Sequence, residues 1–455
     1  MNFSGVSVQR NIRKLPEIRF SKNKRLTSYA GLVIFQALLT RLGFVAALKN
    51  SLGHLTKGAY GQPAIVLLLI VHLLLGFRRL RGLDYYRDDP LVLRVMGLKR
   101  LPDVSTVSRK LRSMDTKGVE NLLGLNRALV LGRLNAIAAP RVTMDFDGVV
   151  QSTKGHTEGT AIGFNKKKKG ARSYYPLFCT VAQTDQVFDM HHRSGNVHDS
   201  NGAVEFIDDS LSKVKETLNR VQLEVRVDSA FFNDDILWLL ELYHAEFTCS
   251  VPFERFAELK AMVEKRKRWK RLDNSWSYFV TDWQPKCWDE RYRFLFLRQK
   301  KQVRYKGPLQ LDLYRPKDFD YDYKVIVTNK KSKAKSVLQF HNGRGVQEKL
   351  FGEGQQHTAL GVIPTRRKIA NQTFTIASML AHNLSRELQM AADLPALRQT
   401  AKRNSLWKFL SLGTIRQRLL HRAGSLSRPA GKLTLTVSGS QIVQTEMERY
   451  LQPNI

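Results

Sequence analysis

Hydrophobic and polar positions along the chain change rhythm four times. From residue 26 to about 135, apolar residues recur at helical spacing over 31–48, 64–77 and 119–134, with Gly and Pro between them. Within this region Leu101-Pro102-Asp103 precedes Val104-Ser105-Thr106-Val107-Ser108-Arg109-Lys110-Leu111-Arg112. Asp103 after a proline is a natural helix N-cap. Val104, Val107 and Leu111 then share one face, and Ser105, Arg109 and Arg112 another. One face to pack and one to meet phosphates and base edges is the pattern of a recognition helix, and equally of a capped surface helix with solvated arginines.

From about 140 to 245 the period shortens to two. A strand over 142–146 places Val142, Met144 and Phe146 on one side and Thr143, Asp145 and Asp147 on the other. A strand over 223–228 turns Leu223, Val225 and Val227 inward and Glu224, Arg226 and Asp228 to the opposite face, and a helix over 234–244 follows. From about 246 to 330, Trp276, Tyr278, Phe279, Trp283, Trp288, Tyr292, Phe294 and Phe296 lie between turn signals at Pro285, Gly307-Pro308 and Pro316, which predicts a small β-rich insertion. Helical spacing returns over 337–392. Arg344, Glu348 and Gln355 fall on one helical face, and an apolar helix over 374–388 is expected to pack on the sheet. After Asp393 the chain is basic, with no acid until Glu446, and reads as a nucleic-acid tail.

The fold class expected is mixed α/β. The parts are a helical DNA-binding region (1–135), the first part of a catalytic core (136–245), a β-rich insertion (246–335), the rest of the core (336–395) and a basic C-terminal tail (396–455). The run over 64–75 is too short to span a bilayer comfortably, so a buried core helix is expected and no membrane partner.

Charge sharpens this picture. The 455 residues carry 74 Lys+Arg against 40 Asp+Glu, a formal net charge of +34, which favours a polyanionic partner such as nucleic acid. The cations run the whole length. They include Arg10, Arg13, Lys14, Lys22, Lys24 and Arg25 near the start, and the run Lys265-Arg266-Lys267-Arg268-Trp269-Lys270-Arg271. Hydrophobic residues at 43% supply real cores, which excludes a disordered basic tail as the whole protein. The three cysteines, Cys179, Cys249 and Cys287, are far apart, with no CxxC pair. A disulfide framework is excluded and a reducing cytoplasm expected.

The chemistry centres on Asp147, Asp228 and Glu348. Two carboxylates at strand ends and one on a helix can hold a pair of hard divalent cations, which activate a water or hydroxyl and stabilise the leaving oxygen at a phosphodiester. Asp145 shares a strand face with Asp147. Asp147 is preferred as the first acid, because it ends the hydrophobic run before Gly148, and Asp145 remains an alternative ligand. His191, His192, His198 and Asp199 cluster without zinc-site spacing.

In these features the chain resembles bacterial insertion-sequence transposases of the DDE type, in the cut-and-paste branch with a Y-x2-R-x3-E-x6-K signature. Here that stretch reads His341-x2-Arg344-x3-Glu348-x6-Gln355, so the central pair matches and the outer pair does not. The loop Ser194-Gly195-Asn196-Val197-His198-Asp199-Ser200 is similar to the family's, as are Gly155-x2-Glu158-Gly159, Gly163-Phe164-Asn165 and the run of lysines at 166–169. The resemblance implies a ribonuclease-H-like core with a β-rich insertion between the second Asp and the Glu, where this chain has a 120-residue gap. It also implies Mg²⁺ (with Mn²⁺ substituting) on Asp147, Asp228 and Glu348. The partners implied are double-stranded DNA, as terminal inverted repeats and as target, and a second copy of the chain across paired ends, in the bacterial cytoplasm at the nucleoid. DNA contacts are expected from Arg344, His341, Gln355 and Lys349 around the signature. Others are expected from Ser105, Arg109 and Arg112, from Lys166 and Lys167, and from Arg266, Lys267 and Arg268. Two other readings are a DNA-binding protein that has lost catalysis and a metal-dependent endonuclease that does not join ends.

Overall fold

The structure is a computed structural model that describes residues 17–18, 24–58, 60–163, 165, 168–198, 201–301 and 321–452. Its centre is one nine-stranded sheet. In chain order the strands are β1 (Arg141–Gly148), β2 (Leu177–Val181), β3 (Gln186–His191), β4 (Gln222–Val227), β5 (Glu246–Ser250), β6 (Lys270–Arg271), β7 (Trp276–Trp283), β8 (Tyr292–Lys300) and β9 (Tyr321–Thr328). They lie in the order β6-β7-β8-β9-β5-β4-β1-β2-β3. β1 runs parallel to β4, and β4 to β5; every other neighbour is antiparallel. Asp145 stands opposite Arg226 in the β1–β4 register, so Asp147 and Asp228 leave the sheet side by side.

The inward face of β4 is apolar as expected: Leu223, Val225 and Val227 are fully buried. The opposite face differs from expectation, because Glu224 and Arg226 are fully buried too. A parallel central strand is covered on both sides, and here helices and the C-terminal segment provide the second cover.

The region expected as a separate β-rich insertion (246–335) is not a lobe apart. β5 is the edge of the parallel core, and β9 pairs with it, Thr328 opposite Thr248. The aromatic strands β7 and β8 therefore extend the same sheet, stacking Phe279 on Phe296 with ring centroids 4.5 Å apart. Alternation and aromatic content gave the strands, but no local signal says which edge they join. The turn residues Gly307, Pro308 and Pro316 lie outside the described residues.

The helical region also lacks a core of its own. α1 (Gln62–Leu74), α2 (Val104–Arg112) and α3 (Thr116–Ala136) pack on α9 (Lys368–Ala392), a 25-residue helix buried almost all round. α1 is the predicted buried apolar helix, and no single helix among the described residues is long and apolar enough to cross a membrane. Between the sheet and α9 the polypeptide forms α7 (Ala334–Asn342) and α8 (Gly345–His357).

The expected basic tail is the largest correction in the fold, since residues 396–452 are built into it. The Arg403 guanidinium pairs with Glu224 at 2.7 and 2.9 Å. Arg416 is buried and donates to the carbonyls of Leu73, Leu74 and His357, so it serves the end of α1, where carbonyls lack helical partners. Residues Gly424–Ser427 pair with Leu26–Thr27 on one side and Thr434–Val437 on the other. Charge composition alone suggested solvation. Several of these cations instead carry structure.

Candidate active site

The candidate site forms where β1 and β4 end and α8 begins. Asp147 and Asp228 are positioned alike. The Gly148 amide donates to Asp147 Oδ1 at 2.8 Å, and the Ala230 amide donates to Asp228 Oδ1 at 2.9 Å. Both second oxygens then meet one guanidinium: Arg344 Nη2 lies 2.7 Å from Asp147 Oδ2 and 3.6 Å from Asp228 Oδ2. Backbone amides fix one oxygen of each acid and leave the other facing a shared cation.

Arg344 sits at a break in the helical run. Within the helical stretch expected over 337–392, one helix stops at Asn342 and the next starts at Gly345, although Gly343 and Arg344 keep helical backbone angles. Gly343 allows a close approach at this junction. A Cβ there would lie 2.0 Å from the Lys402 carbonyl oxygen and 2.2 Å from Arg226 Nη1, so only glycine lets the chain pass so close. The turn aims Arg344 inward while Glu348, in the first turn of α8, stays exposed. Burial works to lower the Arg344 pKa, but Asp147, Asp228, Asp145 and Glu348 outweigh it and hold the guanidinium more firmly charged than usual. Its Nε is buried with no acceptor among the described residues.

Asp145, the alternative acid, is already engaged. Arg226 Nε and Nη2 grip its two oxygens at 2.5 and 2.6 Å, and both side chains are buried. Arg226 Nη1 also donates to the Phe340 and Lys402 carbonyls, which ties β1, β4, α7 and the C-terminal segment together. A bidentate ion pair with both carboxylate oxygens occupied is not an open metal ligand, and the pairing favours Asp147 as the first acid.

His341, expected to contact DNA, is also a structural residue. It is 4% exposed, with Nε2 2.9 Å from Ser250 Oγ and Nδ1 3.1 Å from Thr248 Oγ1. Burial pushes its pKa well below the ordinary value, helped by Lys324, Arg344 and Arg226, so the ring is neutral and fastens α7 to β5. Gln355 is half-buried, and Lys349 is exposed beside Glu348. One cation went unnoticed in the sequence. Lys324 on β9 donates to Asn342 Oδ1 at 3.2 Å, and burial, with Arg344 adding repulsion, lowers its pKa to about 8. Its signal was buried in strand alternation far from the signature stretch.

Among the described residues, no group of three His, Cys, Asp or Glu side chains converges in metal-holding geometry, and this includes His191, His192 and His198; Asp199 lies outside the described residues. His192 packs 4.4 Å from the Tyr174 ring, and burial lowers its pKa to about 3. The glycine-rich motifs have a packing role. A Cβ on Gly163 would lie 2.2 Å from the Gly195 carbonyl oxygen, and one on Gly195 would lie 2.3 Å from Ser173 Oγ. The two loops close on each other through bare backbone.

The α2 face is presented as expected. Val107 and Leu111 are buried, and Ser105, Arg109 and Arg112 are exposed. Asp103 occupies the N-cap position without a side-chain cap bond, and its carboxylate pairs with Arg87 at 3.0 Å instead. Ser108 and Arg112 line a cleft of about 1120 Å³ with Arg78, Arg79, Lys154 and Arg366, and no carboxylate lines it. Arg266, Lys267 and Arg268 are exposed in the turn after α6 (Ala257–Lys265), whereas Lys166 and Lys167 lie outside the described residues.

By fold and site, the class is a mixed α/β protein with carboxylates gathered at the ends of adjacent parallel strands. The chain matches the model for the transposase DDE domain, group 1, over residues 14–453, and it belongs to that family. The family is one of transposition by phosphoryl transfer, in general with a divalent metal. Among solved structures, the cryo-EM structure of the piggyBac transposase synaptic complex with hairpin DNA aligns with a TM-score of 0.46 and 12% identity, covering 94% of this chain and 84% of that one. A search of curated proteins gives no match.

Proposed function

We propose that this protein is a cut-and-paste transposase of the bacterial insertion-sequence type. It cleaves DNA at element ends in a Mg²⁺-dependent reaction and transfers the exposed 3′-OH into target DNA. The observation that carries this reading is the shared geometry of Asp147 and Asp228, each with Oδ1 held by a backbone amide and Oδ2 turned to one cation. The strand order supports a ribonuclease-H-like core: the antiparallel β1-β2-β3 unit followed by parallel β4 and β5, with the acids at the ends of β1 and β4.

Two hard carboxylate oxygens, Asp147 Oδ2 and Asp228 Oδ2, already face one positive group, and oxygens of this kind are the donors a divalent cation takes. Asp147 and Asp228 would hold it, with Glu348 brought in from the first turn of α8. When bound, the metal would supply an activated water and a stabilised leaving oxygen. The rest falls to the chain. Arg344 bridges the two carboxylates, and its planar fork is suited to a DNA phosphate. Lys324 adds a second cation beside it, in place of the lysine that Gln355 does not supply. The basic α2 cleft holds the duplex, and two copies of the chain hold paired ends in the bacterial nucleoid.

The test is cleavage with Mg²⁺ of DNA carrying the inverted repeats that flank the reading frame, comparing wild type with Asp228→Ala. Cuts at the repeat ends by wild type alone support the reading. Binding by both proteins with cutting by neither replaces it with a DNA-binding protein that has lost catalysis.

A further inference from the structure

A second basic groove lies at the N-terminal end of α7. It has a volume of about 490 Å³ and is lined by Arg266, Lys270, Arg271, Arg293, Lys331, Lys333 and Lys335, together with Tyr278, Phe279 and Val280; among the described residues no carboxylate lines it. Three separate stretches bring these cations together: the turn and edge strand after α6, the start of β8, and the loop that leads into α7. The loop is braced rather than slack, because Arg293 Nη1 donates to the Lys330 and Ser332 carbonyls. Arg266 is also placed, its guanidinium 4.8 Å from the Phe279 ring centroid. Lys331, Lys333 and Lys335 are exposed and lie at the N-terminal end of α7, where the helix dipole adds to their field.

Seven like charges in one groove repel each other, and among the described residues no acid in the lining offsets them. A groove of this kind is complete only with a polyanion in it. Its place relative to the candidate site matters as well. Arg344 follows the C-terminal end of α7, and the groove sits at that helix's N-terminal end. Nine helical residues rise about 13 Å, roughly four base-pair steps of duplex at 3.4 Å each.

We propose that this groove binds the phosphate backbone of duplex DNA a few base pairs from the reacting bond, irrespective of base sequence. The inference rests on the transposase reading and deepens it, since the α2 cleft and this groove become two separate grips on DNA. Lysine contacts to phosphates position a duplex but do not read it. The same loss is therefore due on any sequence.

The measurement is DNA affinity as a function of salt for wild type and for the triple variant Lys331→Ala, Lys333→Ala, Lys335→Ala, using one duplex with the inverted-repeat end and one of unrelated sequence. The expected result is a salt dependence shallower by about two to three in log–log slope, equally on both duplexes. A triple Lys→Arg variant should retain the wild-type slope, which separates lost charge from lost folding. An unchanged slope with wild-type cleavage intact overturns the groove and leaves the transposase reading standing. A loss confined to the inverted-repeat duplex overturns its sequence independence. Failure of wild type to bind or cut either duplex overturns both readings together.

Discussion

Two sets of carboxylates lie on the same face of the same two strands, only a few residues apart, and they do opposite things. Glu224 and Asp145 are fully paired: Glu224 takes Arg403, Lys330, Arg141 and the Thr143 hydroxyl, and Asp145 takes Arg226 on both oxygens. Asp228 and Asp147, further along the same strands, each turn one oxygen to the Arg344 guanidinium at the solvent edge. All four are carboxylates on the same strand face. Depth differs, and depth decides whether an acid is part of the framework or free to exchange its partner. Burial should raise the Glu224 pKa, yet Arg403 and Lys330 overcome it and hold it at about 2.

That contrast can be broken experimentally, starting with the largest effect. Asp228→Ala and Asp147→Ala should each lower the cleavage rate by about a thousandfold or more with an unchanged melting temperature, as followed by gel assay and calorimetry. Equal activity of the variants would remove these acids from the chemistry. Glu224→Ala should do the reverse: it strands Arg403 and Lys330 and costs about 3–5 kcal/mol in denaturant unfolding. The pH dependence follows from the same group. Its folded pKa lies below the ordinary 4.5, so its stabilisation is complete above that value and is lost as pH falls toward about 2. An acid-unfolding curve identical in wild type and Glu224→Gln would contradict this.

Gly343→Ala tests the junction between the two sets, since a methyl there meets Arg226 and the Lys402 carbonyl. A loss of about 1–3 kcal/mol is expected, together with reduced cleavage because Arg344 is displaced. The smallest effect expected is on metal affinity. Arg344→Gln removes a competing cation from between Asp147 and Asp228, so Mn²⁺ binding by titration calorimetry should tighten by roughly tenfold. Weaker or unchanged binding would mean that the arginine and the metal do not compete.

Several of these elements were legible in the sequence. Strand alternation placed Asp145 and Asp147 on one face and put both strands within two residues of their observed ends, and helical spacing gave the exposed α2 face with Arg109 and Arg112. The relation of Arg344 to the acids was not legible. The spacing put Arg344 and Glu348 on one helix face, but what places Arg344 between Asp147 and Asp228 is the packing of its helix start against strand ends that are distant in sequence. Alternation reports which side of a strand a residue faces and is silent about what later packs there. Glu224, Asp145 and His341 therefore looked like residues open to solvent or DNA. The basic C-terminal stretch misled for a related reason, because its partners are carboxylates and helix ends more than a hundred residues away.

That C-terminal stretch has a consequence for how the protein is made. Translation delivers β1 and β4 early, with Glu224 and Arg226 already in place but short of partners. Arg403, the Lys402 carbonyl and the strand over Gly424–Ser427 leave the ribosome only after a long further stretch of chain. Until then the central strands lack their second cover, and Gly343 has no carbonyl to pass against. A ribosome stalled before residue 400 thus carries Asp147 and Asp228 without the buried frame of Arg226, Glu224 and Arg403 beneath them.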